Sequence, residues 1–235
     1  MSKPGGHERS GRRQQGRPTN DLVFTSYLGM NADVFPKILD LYVSTDAVVA
    51  DVTYGQGTFW GKVHRPDLRL LTTDLLTGTD CRSLPYDDTS IDAVILDPPY
   101  MHTPGQGAHD GHQNYEYYYR NNATANSGSS KYHEAVLDLY FSAGKEAARV
   151  LKDGGILIVK CQDEVCANRQ RLAHVEIINE YGGYGLQAED LFVVTRTSKP
   201  GMSRMFRQRH ARKNHSYFLV FWKANKNRRW PGRLN

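Results

Sequence analysis

Six short runs of β-branched and other apolar residues punctuate the chain: Ala47–Val52, Leu68–Thr73, Ile91–Leu96, Ile156–Lys160, Leu191–Thr195 and Tyr217–Trp222. Most are close to continuous rather than alternating, the pattern of strands covered on both faces. Between them the apolar period lengthens. "VFPKILDLY" (residues 34–42) has helical spacing, with Asp33 as its cap and Pro36 in its first turn. Further helices are expected from about Tyr132 to Leu151 and around Asn168–Tyr181. Strands alternating with helices predict an α/β fold, a mostly parallel sheet covered on both faces. Only a basic loop separates the last two runs, so these are expected to pair antiparallel at one edge.

Two segments break that rhythm. Residues 101–131 are rich in Gly, Asn, Ser, His and Tyr around "YEYYYR", and residues 196–215 are basic throughout. Loops of this length inside a compact domain are usually functional lids or disordered segments. Each follows a strand end, and open α/β sheets bind ligands beyond their carboxyl ends. Residues 1–19 have almost no apolar side chain and read as a flexible arm. A domain over 20–223 and a basic tail over 224–235 complete the expected organisation.

Composition narrows the class. The 235 residues are 39% hydrophobic, enough for a core, and no run approaches the ~20 apolar residues of a membrane span. The basic amino terminus has no apolar run behind it, unlike a secretory signal. Three cysteines, Cys81, Cys161 and Cys166, are too few for a disulfide framework and lack a second ligand pair at zinc spacing. A soluble cytoplasmic protein without a metal is the expectation. The net charge of +5 hides an asymmetry: residues 1–17 carry five basic residues against Glu8, residues 18–195 carry 13 basic and 24 acidic, and residues 196–235 carry 12 basic and no acidic residue. Basic ends on an acidic body suit directed encounter with a polyanion, so nucleic acid is the expected partner and a membrane is not.

Three constellations carry candidate chemistry. "ADVTYGQGTFWG" (residues 50–61) ends a strand at Asp51 and turns through Thr53, Gly55 and Gly57, where glycine lets the backbone pass close to a ligand. Trp60 stands where a dinucleotide fingerprint has its third glycine, which argues against a nicotinamide-type site but not against another nucleoside. Asp74 ends the next strand, where a carboxylate can accept from both hydroxyls of a ribose. Asp80-Cys81 follows in a turn that could read an adenine amino group. The third is Asp97-Pro98-Pro99-Tyr100, held at the tip of a buried strand. Proline donates no N–H, so a carboxylate and free carbonyls stand ready to accept both hydrogens of a planar amine, while Tyr100 offers a face for its ring.

In this order, "DVTYGQGT", Asp74, Asp80 and "DPPY" resemble the class I S-adenosylmethionine-dependent amino-methyltransferases, which methylate adenine N6 or cytosine N4 in nucleic acid. The resemblance spans residues from about 20 to 223, and the overall pattern resembles small solitary or phage-type DNA adenine methylases. It implies a Rossmann-like, mostly parallel seven-stranded sheet with an antiparallel terminal strand pair. It also implies S-adenosyl-L-methionine as cofactor, with S-adenosyl-L-homocysteine as product. Asp51, Thr53, Gly55 and Gly57 would hold the methionyl part, Asp74 the ribose, and Asp80 with Cys81 the adenine. Asp97, Pro98, Pro99 and Tyr100 would receive a flipped target base. Thr53-Tyr54 departs from the family's usual Pro-Phe-like start of the glycine loop.

No recognition domain fits between the glycine loop and Asp97, so 101–131, 196–215 and the arm are the expected recognition surfaces. Tyr115, Tyr117, Tyr118 and Tyr119 could stack on a base, and Arg204, Arg207, Arg209, Arg212 and Lys213 could track phosphates. The histidines of these loops are expected to be ordinary surface residues. Asp rather than Ser at position 97 favours adenine over cytosine, and the overall pattern favours DNA over RNA. RNA adenine methylation, cytosine N4 methylation and a catalytically silent binding subunit are the alternatives, and a homodimer or a partner subunit is left open.

Overall fold

The computed structural model describes residues 22–100, 133–197 and 207–224. Strand β1 (Ser26–Leu28) leads into helix α1 (Asn31–Tyr42), then β2 (Val48–Asp51), a 3-10 turn (Thr58–Lys62), β3 (Arg69–Thr72), a second 3-10 turn (Leu75–Thr77) and β4 (Ile91–Leu96). Helix α2 (His133–Val150) runs directly into β5 (Leu151–Cys161). A small hairpin, β6 (Glu164–Cys166) and β7 (Arg169–Arg171), precedes α3 (Ala173–Gly182), β8 (Leu186–Thr195) and β9 (His215–Lys223).

Seven strands form one sheet in the order β1-β8-β9-β5-β4-β2-β3, in which β9 alone runs antiparallel to its neighbours. This is the expected α/β, Rossmann-like arrangement. Its continuous apolar strands are explained by two cores, one on each face. In β4, Val94 and Leu96 face one core with Leu157 and Val159 of β5, alongside residues of α2 and α3 such as Leu139 and Ile177. Ala93 and Ile95 face the other, with Ile158, Phe218 and Val220 against the α1 face of Val34, Phe35, Ile38 and Leu39.

The departures from the sequence reading are local. The antiparallel pair β8–β9 forms as expected, but β1 adds parallel to β8 and takes the edge, a strand too short to register as an apolar run. Helix α1 starts at Asn31, so Asp33 is its third residue and accepts from the Met30 N–H at 3.2 Å instead of capping from outside. Pro36 therefore lies beyond the first turn. The helix expected from Asn168 begins only at Ala173, because Ala167 and Asn168 take positive φ (48° and 60°) and fold back as the turn of the β6–β7 hairpin.

Helices α2 and α3 approach closely at Gly144, where an added Cβ would lie 2.3 Å from the Tyr181 ring. That ring is fully buried and its hydroxyl donates to the Tyr140 carbonyl at 2.8 Å. Gly144→Ala should improve helix propensity by about 1 kcal/mol yet force the ring aside, an overpacking cost of about 1–3 kcal/mol. The ring cannot move without losing its hydrogen bond, so the second effect should win. Urea denaturation is expected to show a net loss of stability.

Candidate active site

The chain leaves β2 toward β3 on one side, and β4 packs on the other, so a crevice opens beyond their carboxyl ends at a topological switch point. Asp51 is the last residue of β2 and Asp97 follows the last residue of β4. The Val52 N–H, donating to the Ile95 carbonyl at 3.1 Å, ties the two strand ends together.

Asp51 is only 4% exposed. Its carboxylate accepts from the Thr53 N–H at 3.1 Å and from the Trp60 indole N–H at 2.7 Å. Burial pushes its carboxyl up to about 6; these two donors hold it down and the nearby charge of Asp74 adds to the rise. Trp60, the residue that broke the dinucleotide fingerprint, thus holds the first carboxylate of the loop.

The glycine loop is bound to Asp74. Gly55, at φ 52°, donates its N–H to Asp74 Oδ2 at 3.0 Å, while Asp74 Oδ1 caps the following 3-10 turn through the Leu76 N–H at 2.9 Å. Gly57 has φ 67°, and a Cβ there would sit 2.5 Å from the Tyr54 hydroxyl, so only glycine closes this turn without strain. Asp80 is clasped by Arg82, whose Nη2 lies 2.6 Å from Oδ2 and whose Nε lies 2.9 Å from Oδ1. Cys81 is buried in the core, which leaves its backbone as the part that can meet a ligand.

The Asp97 backbone is anchored by its N–H, which donates to the Thr53 hydroxyl at 2.6 Å. The glycine loop and the Asp-Pro-Pro-Tyr turn therefore share a direct bond. Asp97 Oδ1 is enclosed and has no hydrogen-bond partner among the described residues. Burial pushes this carboxyl up to about 7, with Lys160 opposing the rise and Asp51 adding to it. Pro98 is buried and Tyr100 half-buried against the core. The Tyr100 hydroxyl accepts from Arg196 Nη2 at 3.0 Å, and Lys160 Nζ lies 5.7 Å from its ring centroid.

Lys160, Arg196, and the bonds made by Trp60 and the Thr53 hydroxyl went unread in the sequence. A lysine closing the apolar run "ILIVK" was the signal for the first. Arg196 was hidden among other basic residues.

Of the expected recognition residues, Arg207, Arg209 and Arg212 are exposed and Lys213 is half-buried, on the segment leading into β9. That segment lies at the same end of the sheet, because His215 pairs with Thr195 and Tyr217 with Cys161. It leans on the hairpin through His210 Nε2, 2.9 Å from the Asn168 carbonyl. Tyr115, Tyr117, Tyr118, Tyr119 and Arg204 lie outside the described residues, as do His102, His109 and His112. All three cysteines are buried, and no disulfide forms among the described residues. Among the described residues no cluster of His, Cys, Asp and Glu could hold a metal, and no helix is long and apolar enough to cross a membrane.

A family model described as "DNA methylase" (N6_N4_Mtase) matches residues 91–233, more than half of the chain. The match opens at β4, so it contains Asp97-Pro98-Pro99-Tyr100 while the glycine loop and Asp74 precede it. No curated protein matches the sequence significantly. Among solved structures, the putative DNA modification methylase TTHA0409 from Thermus thermophilus, complexed with S-adenosyl-L-methionine, shares 17% identity over 79% of this chain and 59% of its own, with a TM-score of 0.42. TrmN from Thermus thermophilus shares 15% over 82% and 48%, with a TM-score of 0.48. The chain spans 56% of the length of TTHA0409 in another of its crystal structures.

Thr53→Val keeps the side-chain volume but removes the acceptor for the Asp97 N–H. The bond is half-buried, so the unsatisfied donor should cost about 1 kcal/mol, the low end of the penalty for a buried one, and urea denaturation of T53V should show a loss of that size.

Proposed function

The chain belongs to the DNA methylase family matched over residues 91–233, and on that premise we propose that it transfers a methyl group from S-adenosyl-L-methionine to the exocyclic amine of a base in DNA, adenine N6 above all. The observation that carries this reading is the enclosed Asp97 Oδ1, an acceptor without a partner among the described residues, beside two prolines and an aromatic face. An amine with two hydrogens supplies what this corner lacks.

The donor set on the other side of Thr53 suits the cofactor. Asp51 offers a buried carboxylate for the methionyl ammonium, and the Gly55–Gly57 backbone offers a tight turn free of side chains. Asp74 faces that turn, bonded to Gly55, where ribose hydroxyls would compete for its oxygens. Asp80 and the Cys81 backbone stand farther along for the adenine. The cofactor, when bound, supplies an electrophilic methyl group on a sulfonium.

The protein's own residues do the rest. Asp97 and the Pro98 carbonyl accept the two amine hydrogens, which draws the nitrogen lone pair out of ring conjugation and toward the methyl. Tyr100 stacks the ring, steadied by Arg196 on its hydroxyl. The amine is out of reach inside a duplex, so the base must leave its stack. Asp97 also stabilises the ammonium charge that develops on nitrogen, a fixed acceptor in place before the reaction. Arg207, Arg209, Arg212 and Lys213 supply phosphate contacts near the rim, and Arg204, Tyr117 and Tyr118 belong to the same recognition segments.

Full-length protein incubated with tritiated S-adenosyl-L-methionine and separate DNA and RNA pools, followed by digestion to nucleosides, tests this reading. Label in N6-methyldeoxyadenosine, lost in Asp97→Ala, is expected. Label in N4-methyldeoxycytidine or in RNA would move the same chemistry to another base or polymer; activity that survives D97A would overturn the assignment. Asp51 adds a pH signature. Its carboxyl ionises as pH rises through about 6, so cofactor affinity measured by calorimetry should strengthen between pH 5 and 7, on the order of tenfold. Asp51→Asn should flatten that dependence.

A further inference from the structure

Lys160 is a lysine where none is expected. It sits near the end of β5, 1% exposed, and its ammonium has no hydrogen-bond partner among the described residues. The strand register says why it matters. Leu96 pairs with Val159 in the parallel β4–β5 ladder, so the next step sets Asp97 beside Lys160, on the face already shared by Ile95 and Ile158. Partners in a parallel ladder point to the same side of the sheet. A half-buried carboxylate with one enclosed oxygen and a fully buried ammonium therefore stand next to each other, each with an atom unsatisfied by any hydrogen bond among the described residues. The Phe218 ring lies 5.0 Å from Nζ on one side and the Tyr100 ring 5.7 Å on another.

We propose that Lys160 is a positioning residue for methyl transfer: its buried ammonium is the counter-charge that keeps Asp97 an ionised acceptor and holds it beside Tyr100. The role rests on the assignment of Asp97 as the acceptor for the target amine. An ionised carboxylate offers both oxygens as strong acceptors, whereas protonation turns one of them into a donor and leaves the other a weaker, uncharged acceptor. Asp97 faces burial and the negative charge of Asp51 from β2; the Thr53 hydroxyl bonds only its backbone. Lys160, from β5, is the cation that opposes both.

Around Lys160 stand Asp97, the thiol of Cys161, Arg196 from the end of β8, and the two rings. Burial draws its ammonium down to about 8 and the charge of Asp97 holds it up, with Arg196 adding to the fall. Burial keeps the Cys161 thiol neutral, so it supplies no competing anion. The Tyr140 hydroxyl donates to the Lys160 carbonyl at 2.7 Å, which fixes the backbone without touching the ammonium.

The test is the pH profile of kcat/KM for methyl transfer in the full chain, comparing wild type, Lys160→Met and Lys160→Arg. Wild-type activity should rise through about pH 7 as Asp97 ionises. Methionine fills the space without the charge, so the rise in K160M should move to higher pH by about one unit, a roughly fivefold loss at pH 7 recovered in alkali. Arginine keeps the charge and should leave the rise at or below its wild-type position. A K160M profile lowered in parallel, with its rise unmoved, would overturn the proposal, and so would an upward move in K160R. Should K160M fail to fold, nitrogen NMR of wild-type protein decides: a protonated Lys160 side chain at pH 7 is expected, and a neutral amine there overturns the proposal. Loss of activity in D97A alongside an unmoved K160M profile would retire Lys160 alone, whereas activity surviving D97A would retire the reading on which it rests.

Discussion

A buried carboxylate, Asp51, and a half-buried one with an enclosed oxygen, Asp97, at the ends of neighbouring parallel strands set the problem that this structure solves. Like charges in such a place raise one another's proton affinity, and burial raises both. Asp51 meets the cost with two donors, the Thr53 amide and the Trp60 indole. Asp97 has its backbone fixed by Thr53 but one carboxylate oxygen left open. That inequality divides the crevice. One carboxylate is preorganised by the protein, and the other is held in place while its bonding capacity is kept for something else.

The sheet makes this arrangement stiff. Strands β2, β4 and β5 are interior strands, with an apolar core on each face, and their side chains alternate between α1 below and α2 with α3 above. A slip of one residue in β4 would invert that alternation and turn Asp97 to the opposite face. The position of the carboxylate is therefore secured by the whole burial pattern of the strand, more than by any bond it makes itself. The basic segment before β9 reaches the same rim because β9 runs antiparallel and starts where β5 ends. Positive charge is thereby brought to the crevice from the far half of the chain.

Much of this was legible in the sequence. The continuous apolar run Ile91–Leu96 marked a doubly covered strand, and the polar tetrapeptide after it marked that strand's tip. Gly55, Gly57 and Asp74 were read as neighbours in function, and the Gly55–Asp74 bond makes them neighbours in space. What stayed hidden depends on pairing between distant segments. Three residues of β1 carry no periodic signal; they become a strand only because β8 offers an open edge. The helix expected from Asn168 takes in the second arm of the hairpin, Arg169–Arg171, because the hairpin's turn relies on positive φ at Ala167 and Asn168, which composition does not announce. Lys160 lay inside a correctly placed strand, but its proximity to Asp97 follows from the β4–β5 register, and register between parallel strands separated by a long crossover cannot be read from either strand alone.

The central claim is spatial: one crevice holds a nucleoside on the glycine-loop side of Thr53 and presents its reactive centre to Asp97 on the other. A crystal structure of the full chain with S-adenosyl-L-homocysteine tests that most directly. The ribose hydroxyls are predicted on Asp74 and the methionyl part beside Asp51 and the Gly55–Gly57 turn, with the sulfur facing Asp97. A nucleoside bound away from Asp74, or a sulfur turned from Asp97, would contradict the account.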